Sequence, residues 1–277
     1  MNTRITQCSG KEFEYFENEF VGLHSIAIGK AWEPHMTSFV KLYHDIFLIR
    51  NMIDVGANFG YHTVLFSDYV QNKVFAFEPQ VQNFDLLKKN IERNGLTNVQ
   101  IYNFACGDVQ CDVKMPLIDE CIHNTNMGDI TPNIYNDKFT ITQSVLLDEM
   151  EFASLPIDCI KIDVQGWEKK VLLGSVNILQ THKPVLIVEF ECFQLSKTNT
   201  SCEELFQFIR NQDYYIYFLE YSYPSDHVCV HRDHLENFRT KFQHYICPHT
   251  MNNNINNNVH YGVTEKIVQK NVVSLNI

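Results

Sequence analysis

Asn51 to Thr63 reads NMIDVGANFGYHT, a short apolar run closed by glycines and followed by a helix-like stretch to Tyr69. Strand, glycine turn and helix in that order let backbone N–H groups and a helix N-terminus come close to a bound cofactor. Gly56 and Gly60 suit the turn because they accept positive φ and carry no Cβ to obstruct a ligand. The dinucleotide fingerprint wants small residues at its first, third and sixth positions. Here Asn58 takes the third and Tyr61 the sixth, which leaves less room for a pyrophosphate.

Outward from this stretch a strand-helix rhythm repeats. KVFAFE (73–78) is a strand ending in an acid, and 80–94 is a helix with Phe84, Leu87 and Ile91 inward, closed at Asn94-Gly95. VQIYNFAC (99–106) is a third strand, DCIKID (158–163) a fourth, and PVLIVEFE (184–191) a fifth. A helix from Gly166 to about Leu179 and another over 202–211 lie between strands. Such alternation implies a parallel sheet covered on both faces. Segments 214–220 and 227–230, flanking Pro224-Ser225-Asp226, read as an antiparallel hairpin closing the sheet. The intervening 108–144 is irregular apart from an edge strand at 113–117, with a polar, turn-like stretch at 124–136.

Residues 1–50 are expected to form a helical prelude packed on the core, its main helix lying in WEPHMTSFVKLYHDIFLI (32–49) and capping the sheet. One domain then spans 51–246. The tail, 247–277, contains MNNNINNNV (251–259), too polar to bury a core and expected to be poorly ordered in part.

A formal charge of −11 argues against non-specific binding to nucleic acid or anionic membranes. No apolar run is long enough to span a bilayer, and the N-terminus lacks the apolar core of a signal peptide. Nine cysteines without a C-x-x-C pair suggest no disulfide framework, and Cys106, Cys159 and Cys192 lie in apolar runs. A cytoplasmic or equivalent reducing compartment is expected. The oligomeric state is left open.

In an open α/β sheet the ligand sits beyond the carboxyl ends of the strands. Asp54 and the glycine loop end strand one, and Glu78 ends strand two, placed to accept ribose hydroxyls. Cys106-Gly107-Asp108 ends strand three near an adenine, and Asp163 ends strand four. Singly, each acid also fits a helix cap; four in register point to a cofactor cleft. Between Asp226 and His234, Asp226, His227, Cys229, His231, Asp233 and His234 crowd together, but no metal-ligand spacing recurs and no metal is expected. His227, Cys229 and His231 share one face of their strand, which is expected to meet water.

DVGANFGYHT, FEP (77–79), ACGD (105–108) and IKIDVQGWEKKVLLGS (160–175) together resemble the FkbM family of S-adenosylmethionine (SAM) methyltransferases, as do KPVLIVEFE and HVCVHRDHLENF further on. The likeness covers about 45 to 240. It implies an α/β, Rossmann-like class I methyltransferase fold, a mostly parallel seven-stranded sheet with a C-terminal antiparallel hairpin. It also implies SAM as cofactor and methyl transfer to a hydroxyl oxygen of a carbohydrate or other small hydroxylated acceptor. The cofactor-binding candidates are Asp54, Gly56, Asn58, Gly60, Thr63, Glu78, Cys106, Asp108 and Asp163. For the acceptor proton they are Asp163, Glu168, Glu189 and His62, with Asp163 and Glu168 preferred and Glu189 in support. One departure is Gln165, where the family commonly has an acid. An NAD-dependent oxidoreductase and a non-catalytic scaffold of the same fold are the competing readings.

Overall fold

The computed structural model describes residues 2–117, 138–219, 226–248 and 263–268. Strands β1 (Thr3–Cys8) and β2 (Lys11–Phe16) pair as a tight hairpin, so the prelude does not begin as a helix. Ser9 and Gly10 turn the chain with φ of 51° and 74°, the left-handed pair that matches strand twist in a two-residue loop. Helices α1 (Phe20–His24) and α2 (Pro34–Phe47) follow, and α2 buries Met36, Phe39 and Val40 as its spacing predicts.

The central unit then runs β3 (Asn51–Val55), α3 (Tyr61–Phe66), β4 (Lys73–Phe77), α4 (Val81–Arg93) and β5 (Val99–Tyr102). Here the chain leaves the expected path. The third strand ends at Tyr102, and β6 (Ala105–Cys106) belongs to a separate three-stranded sheet with β7 (Cys111–Pro116) and β8 (Phe139–Val145). Strand β8 has no counterpart in the sequence reading; its alternation, TITQSV, contains too few apolar residues to stand out. The polar stretch 124–136 and the asparagine run 251–259 lie outside the described residues.

The chain returns through β9 (Ile157–Ile162), α5 (Glu168–Leu173), α6 (Val176–His182), β10 (Val185–Glu189), α7 (Cys192–Lys197), α8 (Cys202–Asn211), β11 (Tyr214–Leu219), β12 (Asp226–His231) and α9 (Arg232–Phe242). The single helix expected over 166–179 is broken at Gly174-Ser175. There the backbone passes so close to the Gly107 carbonyl that a side chain at 174 would collide with it. Strands β13 (Ile246–Pro248) and β14 (Glu265–Ile267) come from the tail and extend the sheet's edge.

The main sheet has the order β13-β14-β11-β12-β10-β9-β3-β4-β5. Strands β10, β9, β3, β4 and β5 are parallel; β12 runs antiparallel to both its neighbours, β10 and β11, while β11 pairs in parallel with β14. The seven strands from β11 to β5 are the predicted sheet. The order reverses at β3, which has β4 on one side and β9 on the other, so the glycine loop stands at the switch point. One face is covered by α5, α6 and α8 through Val171, Leu172, Ile178, Leu205 and Ile209. The other is covered by α2 and α9 through Phe39, Phe238 and Phe242.

Two cysteine and histidine expectations are corrected. Cys192 is bonded to Cys202, tying α7 to α8, where no disulfide was expected. Every residue of β12 is buried, so His227, Cys229 and His231 do not face water; His227 stacks on Phe190 at 4.4 Å. Cys229 lies in the core shared with α5, α6 and α8, so helices cover the face that the alternation alone assigned to solvent. Among the described residues no helix is long and apolar enough to cross a membrane, and no three His, Cys, Asp or Glu side chains gather as a metal site.

Candidate functional site

A cleft opens at the carboxyl ends of β3, β4, β9 and β10, lined by residues from Val55 to Glu189 and by three from the leader, Val21, Trp32 and Glu33. The glycine loop forms its floor. Gly56, Asn58 and Gly60 all have positive φ, at 82°, 53° and 92°. A Cβ on Gly56 would run into the Asp163 carbonyl, so this glycine lets the tips of β3 and β9 approach each other. At Gly60 a Cβ would lie 2.6 Å from Leu87 Cδ1, so α4 packing accounts for that residue; Gly60 does not line the cleft.

The loop's amides are turned inward. Gly56 and Ala57 N–H donate to the Phe77 carbonyl at 3.0 and 2.9 Å, and Gly60 N–H to Ala57 at 2.9 Å. Asn58 N–H donates to Glu78 Oε2 at 2.8 Å, and Phe59 N–H to the Asn58 side chain at 2.8 Å. Residues 56–60 therefore keep no free N–H for a pyrophosphate, which is the group a dinucleotide loop must hold.

Glu78 stands buried at the tip of β4. Its Oε1 accepts from Gln80 N–H at 2.9 Å and its Oε2 from Asn58, leaving each oxygen a further lone pair. Burial pushes its carboxyl up to about 7 against those two hydrogen bonds and the nearby Lys161 ammonium. Cys106 lines the cleft beside Phe104 and Ala105, its thiol raised by burial, whereas Asp108 is not among the lining residues.

Beneath the loop lies a buried charged cluster centred on Lys161, which no strand-end pattern singles out. Its ammonium donates to the Gly56 carbonyl at 2.8 Å and lies 3.4 Å from Asp54 and 3.5 Å from Asp163. Burial opposes this charge, but the two carboxylates hold the ammonium ionised. Asp54 also accepts from the Thr63 hydroxyl at 2.6 Å. Asp54 and Thr63 therefore brace the loop from below and do not face the cleft. A lysine in an I-K-I-D strand was visible in the sequence, and a charge in a central strand demands partners.

On the far wall Asp163 and Glu189 meet. Gln165, at φ 53°, bridges them through its amide, which donates to Asp163 Oδ1 at 3.0 Å and Glu189 Oε2 at 3.1 Å. Burial raises both carboxyls, but the Lys161 charge brings Asp163 below its usual range, while the Asp163 and Asp226 charges push Glu189 further up. The departure at Gln165 thus supplies a donor between two acids. His62 lies across the cleft, its Nε2 3.0 Å from Glu33 Oε2. Trp32 N–H donates to the Tyr61 hydroxyl at 3.1 Å, so two adjacent leader residues are pinned to α3. The leader helps wall the cleft as well as capping the core.

Glu168 faces away from this wall. It does not line the cleft; its Oε1 accepts from Val164 and Gly166 N–H, both at 3.1 Å, and so holds the loop that presents Gln165. The Asp163 charge still reaches Glu168, but the Glu168 carboxyl is spent on the backbone of its own loop. Burial pushes Glu168 up to about 7, opposed by those N–H bonds. The folded protein holds this proton more tightly than the unfolded chain does, so its stabilising share is complete below about pH 4.5 and is lost as pH rises through about 7. Relative to the parent, Glu168→Gln should therefore gain about 3 kcal/mol of stability between pH 5 and pH 8. Urea unfolding at the two pH values measures this; a constant difference would count against the buried charge.

Residues 54–216 match the family model described as Methyltransferase FkbM domain. The hexuronic acid methyltransferase AglP of Haloferax volcanii is 30% identical over 138 residues, covering 48% of this chain and 53% of its own. The chain thus spans about half the length of the curated relative it matches. Among solved structures, methyltransferase FkbM from Methylobacillus flagellatus aligns with 16% identity and a TM-score of 0.47, over 65% of this chain and 43% of that one. The O-methyltransferase of Bacillus cereus in complex with SAH aligns with 16% identity and a TM-score of 0.48, over 73% and 83%.

Proposed function

Because the chain belongs to the FkbM family of methyltransferases, we propose that it transfers a methyl group from SAM to a hydroxyl oxygen of a sugar. The observation that carries this reading is the wall of carboxyls around a loop with no free amides. Glu78, Asp163, Glu189 and Glu33 suit a ligand with ribose hydroxyls, an ammonium and a sulfonium, and the spent amides of residues 56–60 do not suit a pyrophosphate. When bound, SAM supplies an electrophilic methyl group on a cationic sulfur. The similarity to a hexuronic acid methyltransferase supports a carbohydrate acceptor.

Positioning is the chain's first contribution, since displacement at carbon needs the acceptor oxygen held in line with the leaving sulfur. In this reading Glu78 holds the ribose, and Asp163 with Glu189 orients the acceptor hydroxyl. The two carboxyls form a coupled pair in which Asp163 is the ionised member, so Asp163 is the seat for the departing hydroxyl proton. Glu168 serves as the brace of their loop.

Calorimetric titration with SAM and with NAD tests the cofactor, and mass spectrometry for one added methyl on a panel of sugars tests the reaction. Binding of NAD alone would restore the oxidoreductase reading, and binding of neither the scaffold reading. Replacing Glu78 by alanine removes a charged acceptor for two ribose hydroxyls and should weaken SAM binding by about 10- to 100-fold. Unchanged affinity in that titration would remove Glu78 from the ribose site.

A further inference from the structure

Outside the acceptor wall sits a cross-link that the steps above do not use. Gln165 joins Asp163 to Glu189, at 3.0 and 3.1 Å, from a loop whose next residue is Gly166. Gly166 packs directly on α7, since a Cβ there would run into the Gln194 carbonyl. The Gly166 carbonyl accepts from the Thr198 hydroxyl at 2.6 Å, a donor shared with the Leu195 carbonyl at 3.0 Å. Cys192, the first residue of α7, follows Glu189 by three positions. The α7 segment therefore meets the wall twice, through the chain leaving Glu189 and through its contacts on Gly166.

A helix of six residues has little stability of its own. The α8 helix is better anchored. Ser201 and Glu204 cap it reciprocally at 3.1 and 2.9 Å, and Leu205 and Ile209 are buried in the core. The Cys192–Cys202 bond lends that anchorage to the start of α7. Among the described residues the other six cysteines are free thiols, so this bond is the one that a reductant can open there. Cys192 is half-buried and Cys202 buried.

On the sugar-methyltransferase reading of that wall, we infer that the Cys192–Cys202 bond is a positioning cross-link for Gln165, and that opening it lowers methyl transfer while leaving SAM binding in place. The opening agent is a dithiol. One of its thiolates attacks the more open sulfur, that of Cys192, and the Cys202 thiolate leaves and takes up a proton. The reductant's second thiol then closes its own disulfide and releases Cys192, so two electrons and two protons end on the protein. The α7 segment then relies on Thr198 and on buried Leu195 for its seat on Gly166. A displacement of about 1 Å at Gln165 is enough to spoil the alignment of an acceptor hydroxyl. Glu78 and the loop of residues 56–60 belong to β4 and β3, three and two strands away from β10, so the cofactor's hold is spared.

The test compares the full chain with and without dithiothreitol, the open bond being scored by intact mass as two extra carbamidomethyl groups after denaturing alkylation. Val164 and Gly166 N–H, both bonded to Glu168, report the loop and should exchange hydrogen about 10-fold faster after reduction. With SAM at saturation and the best methyl acceptor of the sugar panel, kcat should fall about 10-fold while calorimetric SAM affinity stays within about twofold. Cys192→Ala/Cys202→Ala should start at the reduced level and ignore dithiothreitol. Thr198→Val keeps the disulfide, loses the bond to Gly166 and should lower kcat about fivefold by itself. Unchanged exchange or unchanged kcat after reduction overturns the positioning role and leaves the methyltransferase reading standing. Equal losses of kcat and SAM affinity signal general unfolding and overturn it too. If SAM binds and no sugar gains a methyl, the carbohydrate reading itself falls, and this inference falls with it.

Discussion

Replacing Lys161 with methionine is expected to destabilise the protein by about 3–5 kcal/mol, the usual cost of stripping one partner from a buried ion pair. Lys161 and Asp54 are 2% and 0% exposed, so water cannot take over from the missing ammonium. Asp54 Oδ1 has no hydrogen-bond partner in the structure, and the ammonium 3.4 Å away is what balances its charge. The same change removes the donor to the Gly56 carbonyl, so the glycine loop should also loosen its hold on cofactor. Urea unfolding at pH 7 gives the stability change. The double variant Asp54→Asn/Lys161→Met should recover much of the loss, because it removes the stranded charge. A single-variant cost under about 1 kcal/mol would mean that the cluster is hydrated and that its buried geometry is not what holds the loop.

Asp163→Asn is expected to lower kcat by about 10²- to 10³-fold while changing SAM affinity far less. Asparagine keeps the side chain's size and can still accept from the Gln165 amide, now 3.0 Å from Asp163. What it loses is the negative charge facing Lys161 and the capacity to accept a proton from a hydroxyl. The Glu189 carboxyl, pushed up by burial and by Asp163, would then titrate lower as that neighbouring charge disappears. Turnover at saturating SAM, together with calorimetric SAM affinity, separates the two effects. A kcat within about threefold of the parent would move the proton's destination elsewhere, with His62 and its Glu33 partner next in line.

Much of the architecture follows from short-range rules that a chain obeys wherever it folds. The β3-glycine-α3 unit, the acids at positions 78, 163 and 189, and the switch point between β4 and β9 come from periodicity, positive-φ residues and the connectivity of parallel strands. Residues that ended strands were legible as cleft residues for the same reason, and Glu78, Asp163 and Glu189 do line it. Asp54, Gly60, Thr63, Asp108 and Glu168 satisfied the same pattern and yet stand outside the cleft. Position along the chain does not say which way a side chain turns: Asp54 and Thr63 turn to each other beneath the loop, and Glu168 turns to the backbone of its own loop.

The sequence by itself therefore determined the family, the sheet and the stretch of chain that meets a cofactor. Tertiary structure alone decided what closes the cleft and what supports it. Lys161 reaches Gly56 across 105 positions, and Glu33 meets His62 across 29. Local pattern carries no record of such contacts, because their energy depends on which groups are left buried and unpaired once every element has packed.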